Sequence, residues 1–159
     1  LKKIIPDKVS RGEVSVPDRL RALDETQRHA VLATISGEQP FTSLISYVLA
    51  PDSKSIVFAT PRETSKYDNL LKNRKVALLI DTRANRDEDY LEAEAITIIG
   101  DARSVESSEE RSQLSKLFIQ KHPELAGFVN SPATALVSVK IARCFHVGRF
   151  QTVSEWPTR

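Results

Sequence analysis

Between Thr60 and Lys66 the chain gathers three hydroxyls and two cations: Thr60, Arg62, Thr64, Ser65 and Lys66. They separate the apolar runs Ile56–Ala59 and Val76–Ile80, which are too short to be anything but buried strands. The order is therefore strand, polar loop, short helix, strand. Thr64 or Ser65 can cap that helix, whose first free N–H groups and positive dipole end favour an anion. Lys66 and Arg62 add charge, and phosphate is the group that fits. An ordinary connector helix with solvated charges would have the same composition, so the residue types alone leave both readings open.

Other reactive residues are scattered. His29, His122 and His146 are too dispersed to suggest a metal cluster; His29 and His122 read as surface or helix-end residues, and His146 stands in an apolar strand context. Cys144 reads as a small buried hydrophobe, since only Arg143 beside it is cationic. No pattern for a nucleophile triad, paired metal-ligand cysteines or a glycine-rich phosphate loop is present.

The elements that must position the Thr60–Lys66 loop read mainly as strands. Pro17, Asp18, Leu20, Leu23 and Glu25 predict a helix to about Arg28, with Leu20 and Leu23 facing the core, whereas residues 1–15 show no clear period. Ala30–Ile35 is a strand ended by the turn Ser36-Gly37-Glu38-Gln39-Pro40. Phe41–Leu49 is a central strand, apolar in part on both faces, and Ser55–Ala59 follows a tight turn. Asp81–Asp89 reads as a mobile surface loop. Tyr90–Val105 reads as a long strand in which Gly100 marks a bulge or bend. Ser107 or Ser108 caps a helix ending near His122-Pro123, and a shorter helix carries Leu125, Ala126 and Phe128. Ala135–Ala142 and Cys144–Val147 are expected to form the last strand pair, with Trp156 sealing the barrel end or a dimer interface. Six or seven strands joined mainly by hairpins fit a mainly β (α+β) antiparallel barrel with peripheral helices, not a doubly wound sheet.

With 159 residues, 40% of them hydrophobic, one domain spanning 1–159 is expected. Lysine plus arginine (23) nearly balance aspartate plus glutamate (21), and the net charge of +2 argues against a nucleic-acid partner or an anionic membrane surface. Any anion site must be local. One cysteine excludes an internal disulfide, no apolar run approaches the roughly 20 residues of a spanning helix, and no signal peptide is evident, so the cytoplasm is the expected location. The chain starts at Leu1 and has no methionine, as trimming or an unusual start codon would leave it.

These motifs resemble the FMN-binding split barrels related to pyridoxamine 5'-phosphate oxidase. Gly37-Glu38-Gln39-Pro40-Phe41, then Phe58-Ala59-Thr60 with Thr64-Ser65-Lys66, then Asn73-Arg74-Lys75-Val76-Ala77-Leu78-Leu79 carry the resemblance, from about Ala30 to Val105, with a weaker return at Phe145–Gly148. The resemblance implies a split β-barrel homodimer with FMN at the subunit interface. It places Thr64, Ser65 and Lys66 at the phosphate, Ala59 and Thr60 in the flavin segment, and Ser43, Leu44 and Ile45 along the isoalloxazine. His146 falls where the family can place an aromatic residue reaching the partner's flavin. No catalytic side chain and no metal are implied, because the flavin carries the redox chemistry.

The chain also departs from the family. Ser43 and Ser65 stand where the oxidase has phosphate-binding arginines, which leaves Arg62 as a compensating cation or the binding weaker. The oxidase's C-terminal Arg-Leu-His segment for its substrate is missing, so a vitamin B6 oxidase is not the expected activity. The implied function is an FMN-dependent oxidoreductase acting on a small molecule, with NADH or NADPH among the candidate donors. The alternative is a non-catalytic flavin or haem binder serving storage, sensing or haem utilisation, because the family includes haem-degrading members that the Pro40–Tyr47 strand also resembles.

Overall fold

The computed structural model describes residues 14–148 and 152–158. Its elements run α1 (Val16–Thr26), β1 (His29–Ser36), β2 (Gln39–Leu49), β3 (Ser55–Pro61), α2 (Ser65–Lys72), β4 (Lys75–Asp81), α3 (Asp89–Glu92) and β5 (Ala95–Ser104). Then follow α4 (Ser108–Lys121), a 3-10 turn at Pro123–Leu125, α5 (Ala126–Val129), β6 (Thr134–Gly148) and β7 (Thr152–Pro157). The strands hydrogen-bond in the order β3-β2-β1-β4-β5-β6-β7, every pair antiparallel, and β3 also pairs with β6. That last pairing closes six strands into a barrel and leaves β7 as an extra strand on β6. The fold is the mainly β split barrel expected from the strand count. Among the described residues no helix is long and apolar enough to cross a membrane.

Alternation explains the closure. Ile45, Tyr47 and Leu49 of β2, Ile56 and Phe58 of β3, Leu78 and Ile80 of β4, and Ile96 and Ile98 of β5 point into one buried cluster. Leu20 and Leu23 of α1, Leu70 of α2 and Trp156 of β7 pack against it, so Trp156 seals the barrel. The opposite residues on three strands, Val48, Val57 and Leu136, form a second cluster with Phe118 and Val129, burying those strands on both faces under α4 and α5. Among the described residues no helix gives β1 and β4 the same cover: Val31 and Leu79 pair across the outer surface half-buried, next to Leu44, which is 70% exposed.

Local signals account for the turns. Gly37 has φ of +62° in the two-residue link between the paired Ser36 and Gln39, as a tight hairpin requires. Gly100 sits where the β5–β6 register shifts, and an added Cβ would lie 2.5 Å from the Lys140 carbonyl oxygen. The bulge read from Gly100 is therefore enforced by close backbone approach.

Four sequence expectations change, and the aperiodic reading of residues 1–13 lies outside the described residues. Tyr90–Glu92 belongs to α3, and the strand begins only at Ala95. The Asp81–Asp89 loop has an internal organiser: Asp89 Oδ2 accepts from the Ala84, Asn85 and Arg86 amides, at 2.8, 2.7 and 3.4 Å. Ala135–Val147 is one continuous strand, not a pair; its partners are β3, β5 and β7. His122 ends α4 as expected of a helix-end residue, yet it is buried, with Nε2 hydrogen-bonded to the Tyr47 carbonyl at 2.8 Å. Aromatic stacking on Phe118 makes that burial favourable.

Candidate cofactor-binding site

The barrel is split between β2 and β3. Their ladder joins only Tyr47–Leu49 to Ile56–Phe58, although β2 pairs with β1 from Ser46 back to Gln39. Beyond Tyr47 the two strands diverge and leave a cleft of about 320 Å³. Leu44, Ile45 and Ser46 line one side, Ala59, Thr60 and Pro61 the other, with Lys66 at one end. Phe118, Leu125 and Phe128 supply an apolar wall. The main-chain groups of two strands that have lost their mutual ladder face this space, where a planar ligand edge can replace the missing strand partner.

At the Lys66 end, Thr64 is the N-cap of α2: its Oγ1 accepts from the Tyr67 amide at 3.4 Å. The hydroxyl also donates to the Pro61 carbonyl (3.0 Å) and lies 3.2 Å from Thr60 Oγ1. The Ser65 and Lys66 amides, at the first two helical positions, have no hydrogen-bond partner among the described residues, and Lys66 forms no ion pair there. Two free donors, a helix dipole and an uncompensated ammonium thus converge on one end of the cleft. This donor set fits a phosphate.

The sequence-derived residues divide accordingly. Leu44, Ile45, Ala59, Thr60 and Lys66 meet in the cleft, with Thr64 and Ser65 at its helix end. Ser43 pairs with Leu32, is half-buried and does not line the cleft. Arg62 is committed elsewhere: Nε donates to the Pro132 carbonyl at 3.1 Å and Nη1 to the Tyr67 hydroxyl at 3.3 Å. Phe118, Leu125 and Phe128 were not foreseen as site residues; their helical spacing signalled only a core-facing stripe.

His146 lies in a separate cavity of about 510 Å³ lined also by Arg19, Glu94 and Thr152. Its Nε2 is 2.8 Å from Glu94 Oε2, and Arg19 donates to the same carboxylate from Nε at 3.0 Å and through Nη2. Burial alone would raise the Glu94 pKa, but these hydrogen bonds outweigh it and hold the carboxyl below its ordinary range. Cys144 is fully buried and its thiol is pushed up to about 12 by desolvation, as befits an inert core residue.

The sequence profile of pyridoxamine 5'-phosphate oxidase matches residues 16–148. The chain belongs to the pyridoxamine 5'-phosphate oxidase family. Among curated protein sequences none matches significantly. Solved structures share the fold: the heme binding protein from Mycobacterium smegmatis superposes with a TM-score of 0.79 at 16% identity, covering 92% of this chain and 59% of that one. A FAD-binding protein from Mesorhizobium loti gives 0.67 at 11% identity, over 84% of this chain and 92% of that one. HutZ, the heme storage protein from Vibrio cholerae, gives 0.69 at 16% identity, over 78% and 88%. At these identities the likeness is one of fold.

Proposed function

We propose that this protein is a cytoplasmic FMN-binding oxidoreductase that acts on a small molecule through a flavin held at the interface of a homodimer. The observation that carries this reading is Lys66 beside the Ser65 and Lys66 amides, none of them with a partner among the described residues, at one end of the split between β2 and β3. Lys66, Ser65 and the Thr64-capped turn hold the phosphate; Ala59 and Thr60 flank the ribityl chain. The backbone of Ser43, Leu44 and Ile45 runs along the ring, and Phe118, Leu125 and Phe128 keep water from the apolar side. FMN, when bound, supplies the electron transfer between a reduced donor such as NADH or NADPH and an acceptor.

The homodimer is supported by the outer face of β2, β1, β4 and β5, where Leu44 (70%) and Ile99 (38%) are exposed beside half-buried Val31, Ala33, Ala77 and Leu79. His146, in its own cavity, is then assigned to the partner's flavin. Purified protein should be yellow, or take up added FMN, and should sediment as a dimer that Leu44→Glu dissociates. A colourless protein that binds no FMN overturns the flavin reading, and anaerobic NADH or NADPH that fails to bleach a bound flavin leaves a binder without the enzyme.

A second reading, haem binding, is favoured by two of the structural relatives. No histidine lines the cleft among the described residues, and His146 Nε2 is occupied by Glu94. Haem titration with a Soret shift abolished in His146→Ala would favour haem instead.

A further inference from the structure

We infer that the Tyr67 hydroxyl is the positioning group that holds the phosphate end of the cleft in register; this deepens the flavin reading above and rests on it. Tyr67 is the third residue of α2 and only 7% exposed, its ring packed into the barrel core. Its amide is the one that Thr64 caps. The hydroxyl lies 3.3 Å from Arg62 Nη1 and 3.0 Å from Ser104 Oγ. A guanidinium can only donate, so the phenol oxygen accepts from Arg62, and it shares a second hydrogen bond with the Ser104 hydroxyl in which either oxygen can donate. Arg62 is anchored at its other side, where its amide donates to the Ala133 carbonyl and Nε to that of Pro132. Through one oxygen the start of α2 is tied to β5 and to the entry of β6.

Ser65 and Lys66, the phosphate donors, are Tyr67's immediate neighbours and have no such anchors of their own among the described residues. Their aim is therefore inherited from Tyr67. A phenylalanine would keep the packing and the cap and lose only this tie, so its effect should fall on the part of the ligand these donors contact.

FMN and riboflavin differ by the phosphate, and titrating both into cofactor-stripped full-length protein, followed by flavin fluorescence, separates the possibilities. In Tyr67→Phe, FMN affinity should fall roughly tenfold while riboflavin affinity stays unchanged. Ser104→Ala, which removes only that hydroxyl partner, should shift FMN affinity in the same direction by less. Equal losses for both flavins would make Tyr67 a merely structural residue and overturn the inference, as would an unchanged or increased FMN affinity. Wild-type protein with no preference for FMN over riboflavin would instead overturn the phosphate site itself.

Discussion

Two places on this barrel concentrate charge, and they are built in opposite ways. At the Glu94 end one carboxylate receives donors from both Arg19 and His146. At the start of α2 the donors, Lys66 and two amides, have no acceptor among the described residues. In the first, the carboxylate is satisfied within the chain and ties α1 to the barrel strands, while His146 Nδ1 stays buried without a partner among the described residues; the second is complete only with an anion from outside. Buried or converging polar groups that lack partners mark where a ligand belongs, and saturated ones mark where the fold holds itself.

The two places should therefore fail differently when broken. The largest effect is expected for Glu94→Ala, which strips the buried His146 and the partly exposed Arg19 of their shared acceptor. Urea unfolding should show a loss of about 3 kcal/mol, with the preference of the folded protein for FMN over riboflavin unchanged. Lys66→Ala should do the reverse, weakening FMN by about 2 kcal/mol, or some thirtyfold, with stability within about 0.5 kcal/mol of wild type. Loss of both properties in either variant would erase the distinction. Thr64→Ala sits between them: removing the α2 cap should cost about 1 kcal/mol of stability and loosen FMN as well.

The smallest effect is a difference in acid sensitivity. Burial lowers the His122 pKa from its ordinary 6.5, with the Tyr47 carbonyl offsetting part of the shift. A depressed folded pKa means that the unfolded chain takes up the proton first, so this residue's contribution is full above 6.5 and declines as pH falls below it. Glu94, also depressed, follows the same sign from its lower ordinary value of 4.5. Stability measured by urea unfolding should therefore decline in two stages, the upper removed by His122→Gln and the lower reduced by Glu94→Gln, since Glu110 and Asp101 are depressed as well. A single stage unaffected by His122→Gln would show that the α4 end carries no such linkage.

What could be read from the residues was whatever is encoded within a few positions. The capped start of α2, the Gly37 hairpin, the Gly100 bulge and the stripe that buries Phe118 all follow from local rules, and the split barrel follows from their order. Of the two caps considered, Thr64 serves, because its hydroxyl reaches the Tyr67 amide. The Arg19–Glu94–His146 cluster was not legible, since its members are separated by 75 and 52 positions and meet only across the closed sheet. The same applies to Arg62, whose cationic type suggested a phosphate ligand but whose partner is a carbonyl 70 positions away. β6 was divided in two because its register shift near Ala142 interrupts the alternation, though the strand itself continues.

The pairing of β3 with β6 also has a kinetic meaning. It joins Ser55–Pro61 to Thr134–Lys140, so the chain must close a long loop, at an entropic cost, before these two strands pair. One lip of the cleft is β3, and the Arg62 anchor lies on the far side of that same closure. On the proposed flavin reading, a nascent or partly refolded chain would offer no phosphate site until the ring is shut. Cofactor uptake would then report on ring closure, and FMN bound to the closed state would draw the folding equilibrium towards it.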